Sequence, residues 1–180
     1  WSSDVCSSDL VTSEVDKVAT AARKPVSAAE LIEPDEAGEN WLTYSGSVTG
    51  SRHSRLSQIT PNNVDKLVPK WIYQLEGQNE QKIECTPVVH DGRMYLTSPS
   101  GSVIALDAAT GRNLWRMDRK LGNATVGWSG TYNRGVALLG DRVYEGTSDA
   151  KLLALSAATG KILWQVDAAP ADENRSITSS

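Results

Sequence analysis

The chain has 180 residues, 39% of them apolar and 22% charged, with a formal net charge of −4. That is enough apolar material for a globular core, and no apolar run is long enough to cross a membrane. The acidic balance argues against non-specific nucleic-acid binding, and six Trp and five Tyr beside no Phe suggest that aromatics hold set positions instead of filling a core at random.

Residues 1–10, WSSDVCSSDL, resemble the conceptual translation of a sequencing-adapter oligonucleotide and are set aside from the fold. Without Asp4 and Asp9 the charge is −2, and without Cys6 only Cys85 remains, so no intramolecular disulfide is available. On this reading the natural N-terminus is missing, and an open fragment at both ends is expected. Residues 11–40 are Ala/Glu/Lys-rich and predict an arm with a short helix around Ala28 to Ile32. The stretch from Asn40 to Leu67 is punctuated by Gly46, Gly50 and Pro61 and reads as loop, with a helical turn at Asn62 to Lys66. Lys70 to Leu75 alternates as a strand.

Two runs of short strands follow. The first, about 86–118, reads PVVHD, RMYLTS, SVIALD and NLWRMD, broken at Asp91-Gly92, Pro99-Ser100-Gly101 and Ala109-Thr110-Gly111. The second, about 135–167, reads GVALLG, RVYEGTS, KLLALS and KILWQVD, broken at Gly140-Asp141, Asp149-Ala150 and Thr159-Gly160. The glycines suit the positive φ of tight hairpins. ALDAATGRNLWRMD at Ala105–Asp118 returns as ALSAATGKILWQVD at Ala154–Asp167, offset by 49 residues with nine of fourteen positions identical. A period of this length made of four strands is the signature of propeller blades, each depending on its neighbours to bury its faces. The expected fold is therefore all-β, a β-propeller with tryptophan-docking repeats, of which 41–180 holds part. Trp115 and Trp164, four residues after each turn glycine, are placed to lie flat on the turn of an adjacent blade.

The repeat, with NWLTYSG and SRHSRLSQITPNNVDKLVPKWIYQL before it and NRGVALLGDRVYEGT within it, resembles the N-terminal part of a pyrroloquinoline quinone (PQQ) dependent alcohol dehydrogenase of the methanol/ethanol type. The resemblance covers Asn40 to Ser180. It implies an eight-bladed propeller with about two blades here, and the strand at Lys70–Leu75 completing the last blade of the intact enzyme.

Three residues acquire cofactor-binding roles from the resemblance. Glu84, in KIECTPVV, matches a carboxylate that orients an arginine; Arg134, in YNRGVAL, matches that arginine, which binds a cofactor carboxylate; Thr178, in RSITSS, matches a hydroxyl donating to another cofactor oxygen. A guanidinium fork suits a planar tricarboxylate such as PQQ. Taken without the resemblance, Glu84 reads more readily as an exposed strand-end carboxylate, and Arg134 can be a surface cation beside a glycine and Thr178 a strand residue near a terminus. One departure stands out: Trp128 and Ser129 occupy the place of the vicinal cysteines that most such enzymes set against PQQ, which leaves the subtype open. His53 and His90 lack ligand spacing for zinc, and Cys85 reads as a buried thiol.

For the intact protein the resemblance implies oxidation of an alcohol with transfer of electrons to PQQ and on to a cytochrome c or quinone. It implies a bound Ca2+ or lanthanide and a periplasmic location. The catalytic base and metal ligands are expected beyond Ser180, which would leave this chain inactive alone. Two other readings remain at this point: a non-catalytic PQQ-like propeller that binds partner proteins, and a sugar or polyol dehydrogenase on the same scaffold.

Overall fold

The computed structural model describes residues 24–33, 35–75, 83–119, 133–170 and 175–178. Among these residues eight strands form two four-stranded antiparallel sheets, each in sequence order. Blade one comprises β1 (Val88–His90), β2 (Arg93–Thr97), β3 (Val103–Asp107) and β4 (Asn113–Met117); blade two comprises β5 (Ala137–Leu139), β6 (Arg142–Gly146), β7 (Lys151–Ser156) and β8 (Ile162–Asp167). The 49-residue offset survives in the ladders. Arg93 faces Asp107 and Arg142 faces Ser156, and both blades carry a register shift at the same place, Ala105/Leu106 and Ala154/Leu155. An irregularity repeated in this way bends the third and fourth strands of both sheets alike.

The main core lies between the blades, where Val103, Ala105, Trp115 and Met117 meet Leu138, Val143, Leu153 and Leu155. Trp115 closes this contact. Its indole N–H donates to the Ala157 carbonyl at 3.0 Å, and its ring lies over Gly160, where an added Cβ would come within 2.4 Å of it. The left-handed φ of 71° at Gly160 and the lack of a side chain are both required for the ring to lie flat. Arg93 and Tyr95 reach the same Ala157 carbonyl, at 2.9 and 3.3 Å.

Trp71 repeats the arrangement one blade earlier. It donates to the Ala108 carbonyl at 3.2 Å and lies over Gly111, and with Tyr73 and Leu75 it packs against Leu96, Ile104 and Leu106. The expected strand at Lys70–Leu75 is corrected here, because residues 71–75 have no ladder partner among the described residues and form no strand. The alternation that suggested it is real, since Ile72 points to solvent between two packed aromatics. One-sided packing without a hydrogen-bonded neighbour is not a sheet.

Before the blades, α1 (Ala28–Ile32) starts with a capping box in which Ser27 and Glu30 satisfy each other's backbone N–H groups. The helical turn expected at Asn62–Lys66 is a 3-10 turn over Val64–Lys66. Isolated bridges tie Val26 to Gly140 and Trp41 to Val89, so the N-terminal segment touches both blades.

Candidate functional site

Glu84 lies just before β1, Arg134 just before β5, and Thr178 follows β8. Strand polarity puts the starts of β1 and β5 at one end of the two sheets, together with the end of β6. Two backbone bonds then bring the segments together: the Thr86 N–H donates to the Arg134 carbonyl at 3.1 Å, and the Ile177 N–H to the Thr147 carbonyl at 2.9 Å. Gly135 makes the first possible. Its φ is 126°, and a Cβ there would lie 2.9 Å from the Thr86 carbonyl oxygen.

The three residues singled out from the sequence meet around the Arg134 guanidinium. One terminal nitrogen lies 3.2 Å from Glu84 Oε2; the other donates to Thr178 Oγ1 at 3.1 Å and to the Thr178 carbonyl at 3.3 Å. The side chains of Arg134 and Glu84 are 47% and 32% exposed. The fork is thus braced on two sides and open on another. Because Thr178 Oγ1 accepts from Arg134, its own proton is directed elsewhere. A cation, a hydroxyl donor and a carboxylate that aims the cation make a receptor for an anionic, planar group such as a carboxylate.

Beneath this rim lies a buried polar cluster that the sequence reading passed over. Asn133 accepts from the Thr97 hydroxyl at 3.0 Å and from the Gly135 N–H at 2.8 Å, and donates to the Gly146 carbonyl at 2.8 Å and to Glu145 Oε1 at 3.4 Å. Glu145 is only 1% exposed, and its Oε2 has no hydrogen-bond partner among the described residues. Burial pushes its carboxyl up to about 8; nearby Arg119 pulls the other way and Asp149 adds to the rise. Asp149 behaves oppositely: burial raises it, but the bonds from the Arg119 guanidinium and the Thr147 hydroxyl outweigh that and hold it below the usual carboxylate range. The sequence did carry a signal for Glu145. In the repeat register it stands where blade one has Leu96, an acid in a buried apolar slot.

Cys85 sits under the same segment, its Sγ accepting from the Thr97 N–H at 3.2 Å, and burial raises the thiol above its ordinary value. His90 is buried at the far end of β1 and His53 is exposed on a loop. Trp128 and Ser129 lie outside the described residues, so the departure noted there is not placed. Among the described residues no group of three or more His, Cys, Asp or Glu is positioned to hold a metal ion.

Residues 41–175 match the family described as PQQ glucose/ethanol/alcohol dehydrogenase, β-propeller domain. The quinoprotein alcohol dehydrogenase PedH of Pseudomonas putida is 37% identical over 132 residues, 73% of this chain and 22% of that protein. The quinohemoprotein alcohol dehydrogenase of Comamonas testosteroni superposes with a TM-score of 0.77 at 36% identity, covering 86% of this chain and 23% of that structure. A europium-containing methanol dehydrogenase superposes with a TM-score of 0.74 at 26% identity, covering 84% of this chain and 27% of the other. The chain spans about a fifth of the length of the curated relatives it matches.

Proposed function

The chain belongs to the PQQ-type β-propeller family of glucose, ethanol and alcohol dehydrogenases, and we propose that it supplies the carboxylate-binding side of the cofactor site in an enzyme that oxidises an alcohol with PQQ as electron acceptor. The observation that carries this reading is the convergence of Glu84 and Thr178 on the Arg134 fork, from segments separated by 50 and 44 residues.

The donor set fits the group. PQQ is a planar tricarboxylate whose quinone accepts two electrons from the alcohol when it is bound. Arg134 would hold one of its carboxylates through the open flank of the guanidinium, Glu84 would keep that fork aimed, and the Thr178 hydroxyl would donate to a neighbouring cofactor oxygen. None of the three moves a proton from the substrate. Their work is orientation and charge neutralisation, which fixes the cofactor before any alcohol arrives.

A general base for the alcohol, and the ligands of a Ca2+ or lanthanide ion, belong in this proposal to residues after Ser180. The electron acceptor would be a cytochrome c or a quinone, and the compartment the periplasm. These finer points rest on the family resemblance and on the relatives' names.

The test is titration of metal-loaded apoenzyme, as the full-length polypeptide carrying this chain, with PQQ. Arg134→Ala removes a charge-assisted bond and leaves Glu84 facing the cofactor carboxylate as a like charge. With half the side chain open to water, the expected loss is about ten- to 150-fold in Kd, or about 1.5–3 kcal/mol. Arg134→Lys should recover only part of it, since an ammonium cannot reproduce the fork. Equal affinity for wild type and Arg134→Ala would refute the assignment.

A further inference from the structure

The repeat register sets Asn133 of blade two against Glu84 of blade one, and Gly146 against Thr97, each pair 49 residues apart. Asn133 joins both halves of the second pair: its amide oxygen accepts from the Thr97 hydroxyl at the end of β2, while its amide nitrogen donates to the Gly146 carbonyl at the end of β6. One buried side chain therefore spans equivalent points of adjacent blades. It also accepts from the Gly135 N–H, which leaves Arg134 between two residues fixed by the same amide. Resting on the cofactor-site reading above, we propose that Asn133 is a positioning residue for Arg134, an inter-blade latch that sets where the guanidinium fork stands.

The chemistry requires an amide. The bonds at Asn133 need a side chain that accepts on one atom and donates on the other, and at this size only Asn does both. A carboxylate would accept from Thr97 and Gly135 but would confront the Gly146 carbonyl and Glu145 without a proton to offer. An apolar group would leave the Gly146 carbonyl and the Thr97 hydroxyl unsatisfied in a buried place. Glu145 Oε1, at 3.4 Å from the amide nitrogen, gives the second donor a direction. The side chain is buried beneath the rim and holds Arg134 through the backbone, by the Gly135 N–H that it accepts. Equivalent positions of the two blades thereby converge on one cation, Glu84 pairing with the Arg134 fork and Asn133 anchoring its base.

A double-mutant cycle distinguishes this role from a merely structural one. The probe is PQQ added to the metal-loaded apoenzyme of the full-length polypeptide, with Kd read from the change in protein fluorescence. Asn133→Ala should weaken binding about tenfold, the order expected for loss of one well-placed hydrogen-bonding group. Thr97→Val preserves shape, leaves the rest of the latch in place and should cost about threefold. In an Arg134→Ala background both losses should shrink to less than about twofold, because the residue they position is gone. A loss of the same size in both backgrounds, or no loss in the first, would overturn the proposal while leaving the cofactor site intact. Failure of the wild type itself to bind PQQ would overturn both. Hydrogen exchange at the Gly135 N–H gives a readout without cofactor: it should quicken in Asn133→Ala and stay at the wild-type rate in Arg134→Ala. Unchanged exchange in Asn133→Ala would also overturn the latch.

Discussion

Blade one and blade two share a register, a bulge position and a docking tryptophan, yet their outer strands meet different surroundings. Trp115 on β4 is 8% exposed, whereas Trp164 at the matching position of β8 is 36% exposed. Each ring keeps its tilted contact with the tyrosine of its own second strand, Tyr95 or Tyr144, at a centroid distance of 6.0 Å in both. What differs is the neighbouring turn: Trp115 lies over Gly160, while Ile162, Leu163 and Val166 of β8 are exposed alongside Trp164. The same local sequence is therefore core or surface according to the next repeat, which is how a one-dimensional array distributes its stability.

The sharpest way to break this comparison is to truncate the two tryptophans in the 180-residue chain. Trp115→Ala should cost about 3–5 kcal/mol in urea unfolding, as for other large-to-small core changes, and Trp164→Ala less than about 1 kcal/mol. Equal losses would mean that β8 is covered in solution by a second copy, which sedimentation would then detect. Gly160→Ala should approach the Trp115→Ala loss, because its Cβ would meet the indole at 2.4 Å, whereas Gly140→Ala, with open space around it, pays only the left-handed backbone cost of about 1 kcal/mol.

A second difference between the blades is Glu145 in place of Leu96. Its carboxyl sits at about 8 in the folded chain against an ordinary value of 4.5, so the folded state holds the proton more tightly. The resulting stability is present below pH 4.5 and is lost as pH rises through 8, at up to about 1.4 kcal/mol per pH unit. Glu145→Leu, which writes blade one's residue into blade two, should remove that slope. Unfolding of both proteins at pH 5, 7 and 9 gives the comparison, and parallel curves would contradict the buried-acid description.

The smallest effect is expected at the ends of the outer strands. Asp118 accepts from the Ser102 hydroxyl in blade one, and Asp167 pairs with Lys151 in blade two. Both carboxylates are largely exposed. Asp118→Asn and Asp167→Asn should each change stability by less than about 0.5 kcal/mol, and 0.5 M salt should weaken both effects, since Arg116 also pairs with Asp118.

Much of this architecture was legible because a repeat states its own register. The identity of ALDAATGRNLWRMD with its copy gave the strands, the turns and the docking role of Trp115. Trp71 escaped for a metric reason: it precedes Trp115 by 44 residues, not 49, so the period does not reach it. The strand read at Lys70–Leu75 failed because alternation reports which side chains pack, not whether a ladder partner is present. At the site, family resemblance brought forward Glu84, Arg134 and Thr178, and the fold draws them together. Asn133 was not legible in the same way, since a buried amide and a surface amide look alike until the ends of β2 and β6 are known to flank one of them, whereas Glu145 left one trace, an acid at the register position of Leu96.

Three donors of blade one, from Arg93, Tyr95 and Trp115, end on the single carbonyl of Ala157 in blade two. During synthesis that carbonyl follows Trp115 by 42 residues, an interval of about 2–8 s at ordinary elongation rates. For that time a finished blade waits with an uncovered indole and a buried-type arginine facing water. The order of assembly is therefore vectorial, each blade serving as template for the turn that will cover it, and a pause in elongation between Trp115 and Ala157 would lengthen the chain's exposure to chaperones and to other copies of itself.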